Sequence, residues 1–503
     1  MNFFQNNIYK ELNLILILLL FIIIIFINNH NDKYNDQTNI PELLYYNNQK
    51  IQVFTSSAKC RETLYFSPEY REFNDSIKIK KINLKDKNYF ITFYETDHVY
   101  NQHLKSLEKH GLIRSYYQFG KNNLIISPIK ENPLILNKSN IYALDKYQKV
   151  YRYLNAPLVF QKDSLYSSYA TMKNIFFEDF NYMPETYIYP EQKNIIYNKF
   201  KNYKLNLSNL WLVKPTNKYG GHDINIFDSL KNIKLKEFII TKYIKNVNLI
   251  KDKKYDLRLY VLITGLKPLR IYFYKEGLVR IASEKYSLNS SSIENKFMHL
   301  TNMCVNTKNK NYIRPNSSNE YNSNLWNILM YKTFLKQNNI EWDDIREKIK
   351  DIIIKSIISV YQNLTEENEK YKLSDQNFYE ILGFDILIND KFNPILCEIN
   401  YVPEMFLSNN LDTKIKSNLF IDTLNLIGII PYSRKKEKSL VNKYKLTNEV
   451  NDNVNNALCE LARPRGDFEL IFPSRNTITR YNKYFINNTE ENMKFWEYIT
   501  SLS

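Results

Sequence analysis

Between Trp342 and Leu364 apolar residues return at three- and four-residue steps: Trp342, Ile345, Ile349, Ile352, Ile353, Ile357 and Val360. That spacing puts one apolar stripe on a helix and predicts core packing rather than chemistry. Elsewhere the period falls to two. Residues 255–274, YDLRLYVLITGLKPLRIYFY, read as two strands joined by a turn at Gly265–Pro268. Leu257, Leu259, Val261 and Ile263 form the core-facing set. Asp256 and Arg258 share the opposite face, with Tyr260 and Leu262 beyond them and Lys254 just before. Arg280 follows in a third strand-like run, GLVRIAS. Residues 378–403, FYEILGFDILINDKFNPILCEINYVP, give two β-rich runs around the polar stretch Asn389–Asn393, a hairpin pattern. A turn about Lys391–Phe392 sets Asp385 directly opposite Glu398. Glu398 and Asn400 then share a face, while Cys397 and Ile399 take the other.

Coarser shifts predict the organisation. Residues 1–50 form a hydrophobic segment and an Asn-rich linker. In 51–130, short runs such as Tyr89–Tyr94 and Leu124–Ile126 alternate with charged turns, as in a small α/β domain. Residues 131–235 mix helical and strand patterns. Residues 236–430 carry the strongest strand signal, with an exposed loop at 306–323. Residues 431–503 begin as a basic linker (Arg434, Lys435, Lys436, Lys438) and end aromatic enough to pack. No internal repeat is present. Leu14–Ile27 is unbroken and apolar, yet shorter than the ~20 residues of a comfortable bilayer span. Ile27 runs into Asn28, Asn29 and His30 instead of the small residues of a cleavage site. Membrane anchoring by residues 12–27 is therefore expected over cleavage, and the flanking charges give no orientation.

Composition narrows the class. The chain is 44% hydrophobic and 15% aromatic, which excludes disorder throughout. Only 9 glycines and 15 prolines exclude a collagen-like protein. Asn, Lys, Ile and Tyr are over-used everywhere, a coding bias that strips weight from single Asn or Lys residues. The net charge of +16 favours a polyanionic partner. No nucleic-acid-binding motif accompanies it, so no nucleic acid is expected. Cys60, Cys304, Cys397 and Cys459 are far apart and lack CxxC spacing, so neither a disulfide scaffold nor a zinc site is expected.

Three groups carry candidate chemistry. Asp385, Glu398 and Asn400 are polar on otherwise apolar strands. Apposed carboxylates need a compensating partner, and hard oxygen donors of this kind suit Mg²⁺ together with phosphate oxygens. An edge hairpin with one solvated polar face fits the pattern equally well. Lys254, Asp256, Arg258 and Arg280 are placed to hold phosphates and developing charge, if they lie near that hairpin. The run WLVKPTNKYGGHDINI (Trp211–Ile226) offers Lys214 and a Gly220–Gly221 loop whose N–H groups suit phosphates, although hairpin turns use paired glycines too. FMHLTN (Phe297–Asn302) identifies nothing alone.

Taken in order, these segments resemble the tubulin–tyrosine-ligase-like family. QKDSLYSSY (Gln161–Tyr169), FNYMPETYIYP (Phe180–Pro190) and LDTKIKSNLFIDTLNLIG (Leu411–Gly428) extend the likeness over about 160–430. The tail ELARPRGDFELIFPS (Glu460–Ser474) and the PLRIYFY run are similar to the polyglutamylase branch. The resemblance implies an α/β ATP-grasp fold with ATP between two sheets. It implies that Asp385, Glu398 and Asn400 bind Mg²⁺-ATP, and that Lys214 and the Gly220–Gly221 loop contact phosphates. Thr241, Lys242 and Ile244 would form the adenine hinge, and Lys254 and Asp256 would reach the nucleotide. Arg258 and Arg280 would act in catalysis with Glu398, Thr301 and Asn302 would line the site, and Lys416 would face the amino acid.

The implied activity joins free glutamate to glutamate side chains in the acidic C-terminal tails of tubulin. It does so through an acyl-phosphate, at the cytosolic microtubule cytoskeleton, with cilium or flagellum as possible settings. A glycylase, a ligase acting on another acidic protein and an inactive microtubule-binding protein are the alternatives. Asp223 in the phosphate loop, Thr241 where Gln is usual, Glu404 in place of a Ser-Pro-Ser turn, and the apolar N-terminus depart from the family pattern.

Overall fold

The computed structural model describes residues 50–503, apart from 55–59, 73–76, 84–91, 96–100, 116–121, 127–143, 145–146, 219, 222, 228–229, 290–291, 318–319, 375, 432–448, 487–491, 496 and 498–503. The expected anchor at 12–27 and the basic run at 434–438 lie outside the described residues. Among those described, no helix is long and apolar enough to cross a membrane. Two compact units are distinguished: 1–51 with 81–89, and 52–80 with 90–503. The first falls almost wholly outside the described residues, and the account below concerns the second.

The fold is mixed α/β with several sheets. Strands β1 (Lys50–Phe54) and β2 (Thr63–Leu64) set Val53 opposite Leu64. β3 is Ile79–Asn83. Strands β4 (Thr92–Glu95), β5 (Ile113–Arg114), β6 (Leu124–Ile126) and β7 (Lys149–Tyr151) are parallel neighbours. An antiparallel four-stranded sheet contains β8 (Thr186–Tyr189), β9 (Trp211–Pro215), β10 (Asn225–Ile226) and β11 (Phe238–Lys242), in the order β10-β9-β11-β8. Then come β12 (Leu249–Ile250), β13 (Lys253–Leu266), β14 (Leu269–Ile281), β15 (Leu325–Asn327), β16 (Phe378–Ile388), β17 (Pro394–Asn400) and β18 (Phe468–Phe472). The large sheet runs β15-β14-β13-β16-β7-β6-β4-β5, with β12 on β13, β17 on β16 and β18 on β14.

The helix expected from the apolar stripe is α1 (Trp342–Lys370). Its Ile349, Ile353, Ile357 and Val360 are fully buried in one cluster with Leu257, Leu259, Val261 and Ile263 of β13. Each such side chain contributes about 1.5–3 kcal/mol by leaving water. Period 3.6 on the helix and period 2 on the strand thus meet in one core, and the other face of β13 is left for polar residues.

Three expectations are corrected. GLVRIAS is not a separate strand, because β14 runs unbroken into it as far as Ile281. Gly277 permits this: a Cβ there would lie 2.7 Å from the Arg258 carbonyl oxygen, so the strands approach closely at this position. Cys60 and Cys459 form a disulfide across a separation of 399 residues, a pairing the fold creates and local spacing cannot announce. Cys397 does not lie opposite Glu398's face. Pairing shifts between Asp385↔Glu398 and Ile386↔Leu396, so Cys397 is the extra residue of a β-bulge. Leu396 and Ile399 are buried, while Cys397, Glu398 and Asn400 are each partly exposed.

The C-terminal segment packs on this sheet. Helix α2 (Glu449–Leu461) delivers Glu460, whose Oε1 accepts from Thr264 Oγ1 (2.5 Å), Arg270 Nε (3.0 Å) and Tyr272 OH (2.8 Å). Arg463 Nη1 donates to the carbonyls of Leu426 and Ile427. These peptide oxygens end helix Asn410–Ile427 and have no partner within it.

Candidate functional site

The site begins with strand register. Arg258 on β13 lies opposite Asp385 on β16, which lies opposite Glu398 on β17. Asp256 lies opposite Arg280 on β14. Paired residues point to one face, so the expected hairpin and strand motifs meet on a single polar surface. Arg258 donates to Asp385 through Nε (2.5 Å) and Nη2 (3.0 Å). Arg280 pairs with Asp256 through Nε (2.8 Å) and Nη2, and its Nη2 lies 3.0 Å from Asp385 Oδ2. All four are nearly buried. Burial raises the Asp385 carboxyl, but Arg258 and Arg280 outweigh it and hold the group well below the usual carboxylate range. Asn400 Nδ2 reaches Asp385 Oδ2 (3.3 Å) and Glu398 Oε1 (3.4 Å). The three candidate Mg²⁺ residues therefore converge. No cluster of three or more His, Cys, Asp or Glu able to hold a metal exists among the described residues. The set has two carboxylates and an amide, and that fits an ion completing its shell with phosphate oxygens and water.

Lys254 is buried and donates to the Tyr243 hydroxyl (3.3 Å), its ammonium 4.4 Å from that ring centroid. Desolvation brings its pKa down to about 8. The Tyr243 hydroxyl is 2.9 Å from His299 Nδ1, and His299 Nε2 is 3.1 Å from the Ser292 carbonyl. Burial, reinforced by Lys254, lowers His299 to about 4, so the ring is neutral. One relay satisfies every group: Lys254 donates to Tyr243, Tyr243 to Nδ1, and Nε2–H to Ser292. This gives His299 of FMHLTN a part in placing Lys254.

The four-stranded sheet supplies the other candidates. Lys214 on β9 is partly exposed and acts electrostatically on both Lys254 and Cys397. Thr241 is buried, its hydroxyl 2.6 Å from Thr186 Oγ1. Lys242 is exposed and its N–H donates to the Glu185 carbonyl, and Ile244 is partly exposed. Gly220 and Gly221 have φ of 67° and 78°. A Cβ on Gly221 would lie 2.9 Å from Asn302 Oδ1, so the glycine loop packs on FMHLTN. Thr301 beside it is buried. Asp223 pairs with Lys218, which offsets the charge it adds to the loop. Lys416 is buried. Its ammonium donates to the Phe406 carbonyl (2.8 Å) and lies 3.2 Å from Asp412 Oδ1, so it is covered by the loop after Asn400.

Two site residues had no role from sequence. Lys162 Nζ lies 3.9 Å from Glu398 Oε2. Its signal was its place in QKDSLYSSY, where one Lys in a Lys-rich chain carries no weight. Cys397 enters through the bulge, which strand periodicity hides.

The sequence model of the tubulin-tyrosine ligase family matches residues 140–438. Over 290 residues the chain is 32% identical to the mouse (Mus musculus) protein named tubulin monoglutamylase TTLL4, covering 57% of this chain and 24% of that one. It is 31% identical over 340 residues to mouse tubulin polyglutamylase TTLL5, covering 66% and 25%. Against Caenorhabditis elegans tubulin polyglutamylase ttll-4 it is 27% identical over 388 residues, covering 70% and 63%. The chain spans about a quarter of the length of the two mouse relatives. The matched region takes in β16, β17, both arginines and the glycine loop, and exceeds half of the 503 residues: the chain belongs to the tubulin-tyrosine ligase family.

Proposed function

We propose that the protein is an ATP-dependent ligase of ATP-grasp type that adds glutamate to glutamate side chains in acidic tubulin tails. The observation carrying this reading is the continuous row Arg258–Asp385–Glu398 with Asn400 beside it and Lys162 reaching Glu398. Asp385, Glu398 and Asn400 would hold Mg²⁺. Lys214, Lys254 and the N–H groups of the Gly220–Gly221 loop take the phosphates. The segment Thr241–Ile244 offers backbone groups to adenine, and Asp256, Thr301 and Asn302 complete the wall. Mg²⁺-ATP, when bound, would supply the phosphoryl group that converts the acceptor carboxylate to an acyl-phosphate with ADP leaving; the amine of free glutamate then attacks the acyl carbon, forming the amide as inorganic phosphate and a proton leave. Arg258 and Arg280 are fixed by their carboxylate partners before substrate arrives, so they can stabilise developing phosphoryl charge without reorganising. Lys416 supports the amino-acid side through Asp412 and the loop above it.

The net charge of +16 draws acidic tails toward the site. The names of the relatives, tubulin monoglutamylase and tubulin polyglutamylase, favour glutamate as the added amino acid and tubulin as its acceptor. The test is incorporation of labelled glutamate, glycine or tyrosine into microtubules by the full chain with Mg²⁺-ATP. Glutamate transfer that vanishes in Glu398→Gln is expected. Transfer of another amino acid would move the substrate, and no transfer would overturn the reading.

A further inference from the structure

The polar face of β13 does not stop at Arg258. Tyr260 lies two positions on, opposite Gly383, which lies opposite Asn400. Tyr260, Gly383 and Asn400 therefore form a second row beside Arg258–Asp385–Glu398. Gly383 keeps this row tight: a Cβ there would lie 3.2 Å from Arg258 Cδ and 3.0 Å from Pro403 Cβ. On β13 the order Lys254, Asp256, Arg258, Tyr260 runs from the nucleotide residues through the arginine, so Tyr260 stands on the side away from Lys254.

The Tyr260 side chain is fully buried, and its hydroxyl has no hydrogen-bond partner among the described residues. Such a group is costly to keep. Phenylalanine would fill the same space without that cost, so a partner that arrives with substrate accounts for the oxygen. Four charged groups act on the hydroxyl: Arg258 and Arg280 from the sheet, Asp412 from the helix Asn410–Ile427, and exposed Glu404 from the loop after Asn400. Burial, with Asp412 and Glu404 adding to it, raises the phenol against the two arginines and keeps it a donor at neutral pH. A buried donor beside guanidinium groups suits a carboxylate, and the nearby carboxylates suit an ammonium. The set matches a free amino acid better than a phosphate.

We infer that Tyr260 binds the incoming amino acid, its hydroxyl donating a hydrogen bond to a carboxylate oxygen beside Arg258 and Arg280. This rests on the ligase reading above. The test compares the full chain with Tyr260→Phe in steady-state transfer to microtubules, varying glutamate and ATP separately, with thermal unfolding of both proteins. A rise of about tenfold in KM for glutamate is expected, from loss of one bond to a charged group. KM for ATP should stay within about twofold, and the unfolding midpoint should be unchanged or higher. An unaltered KM for glutamate overturns the inference and leaves the ligase reading standing. A lowered midpoint with both KM values raised makes the hydroxyl structural and overturns it equally. If the unsubstituted chain transfers no amino acid, the ligase reading fails and the inference falls with it.

Discussion

Arg258 grips Asp385 with two parallel hydrogen bonds across adjacent strands, 2.5 Å and 3.0 Å long, inside a nearly dry sheet face. Lysine in its place keeps the charge but offers no planar fork. Arg258→Lys should lower the turnover of labelled glutamate by about a hundredfold. It should also lower the unfolding midpoint, because Asp385 loses its two-pronged partner and keeps only the single contacts of Arg280 and Asn400. Turnover near that of the parent would show that the pair is structural.

Lys254 supplies a pH signature. Its pKa is depressed from 10.5 to about 8, so its burial penalty is fully present below pH 8 and is relieved as pH rises from 8 to 10.5. Its contribution to stability therefore grows across that window. Nucleotide affinity should move the other way, since only the ammonium attracts phosphate. Calorimetric ATP binding is expected to weaken as pH rises through 8, approaching tenfold per unit for one linked proton. Lys254→Arg, charged throughout, should flatten the profile. A parent profile already flat between pH 7 and 9 would remove Lys254 from the phosphate site.

Gly221 combines φ of +78° with the Asn302 contact, so alanine there is strained twice over. Gly221→Ala should lose about 1 kcal/mol or more in denaturant unfolding and bind ATP several-fold less tightly. Adding Asn302→Ala should recover part of the stability. No recovery would mean that backbone strain alone sets the cost.

The Cys60–Cys459 bridge spans nearly the whole described chain. Dithiothreitol should lower unfolding free energy by about 2–4 kcal/mol, and Cys459→Ser should be insensitive to it. Equal sensitivity of the two proteins would locate the effect elsewhere.

Much of this was readable beforehand wherever one period governed a segment. The α1 stripe, the apolar set on β13 and the Asp385–Glu398 apposition follow from periods of 3.6 and 2. What escaped depends on departures from those periods or on distance along the chain. The bulge at Cys397 breaks alternation by one residue. Gly277 permits a close strand approach that no period announces. Lys162 and Glu398 are 236 positions apart and meet only after folding. The burial of Lys416 comes from a loop whose sequence departs from the family pattern.

The outer edge of β14 is shared by two short strands. β15 covers Leu278–Arg280, and β18, from beyond residue 438, covers Ile271–Tyr274. The stretch that resembles the family is thus not a stretch that can stand alone. A chain cut at residue 438 would keep every reactive group and yet bare half of one strand's hydrogen-bonding groups, together with Arg270 deprived of Glu460. Naked edges of this kind recruit other strands, so such a fragment should precipitate or clump, and its silence in an assay would report on solubility and not on chemistry.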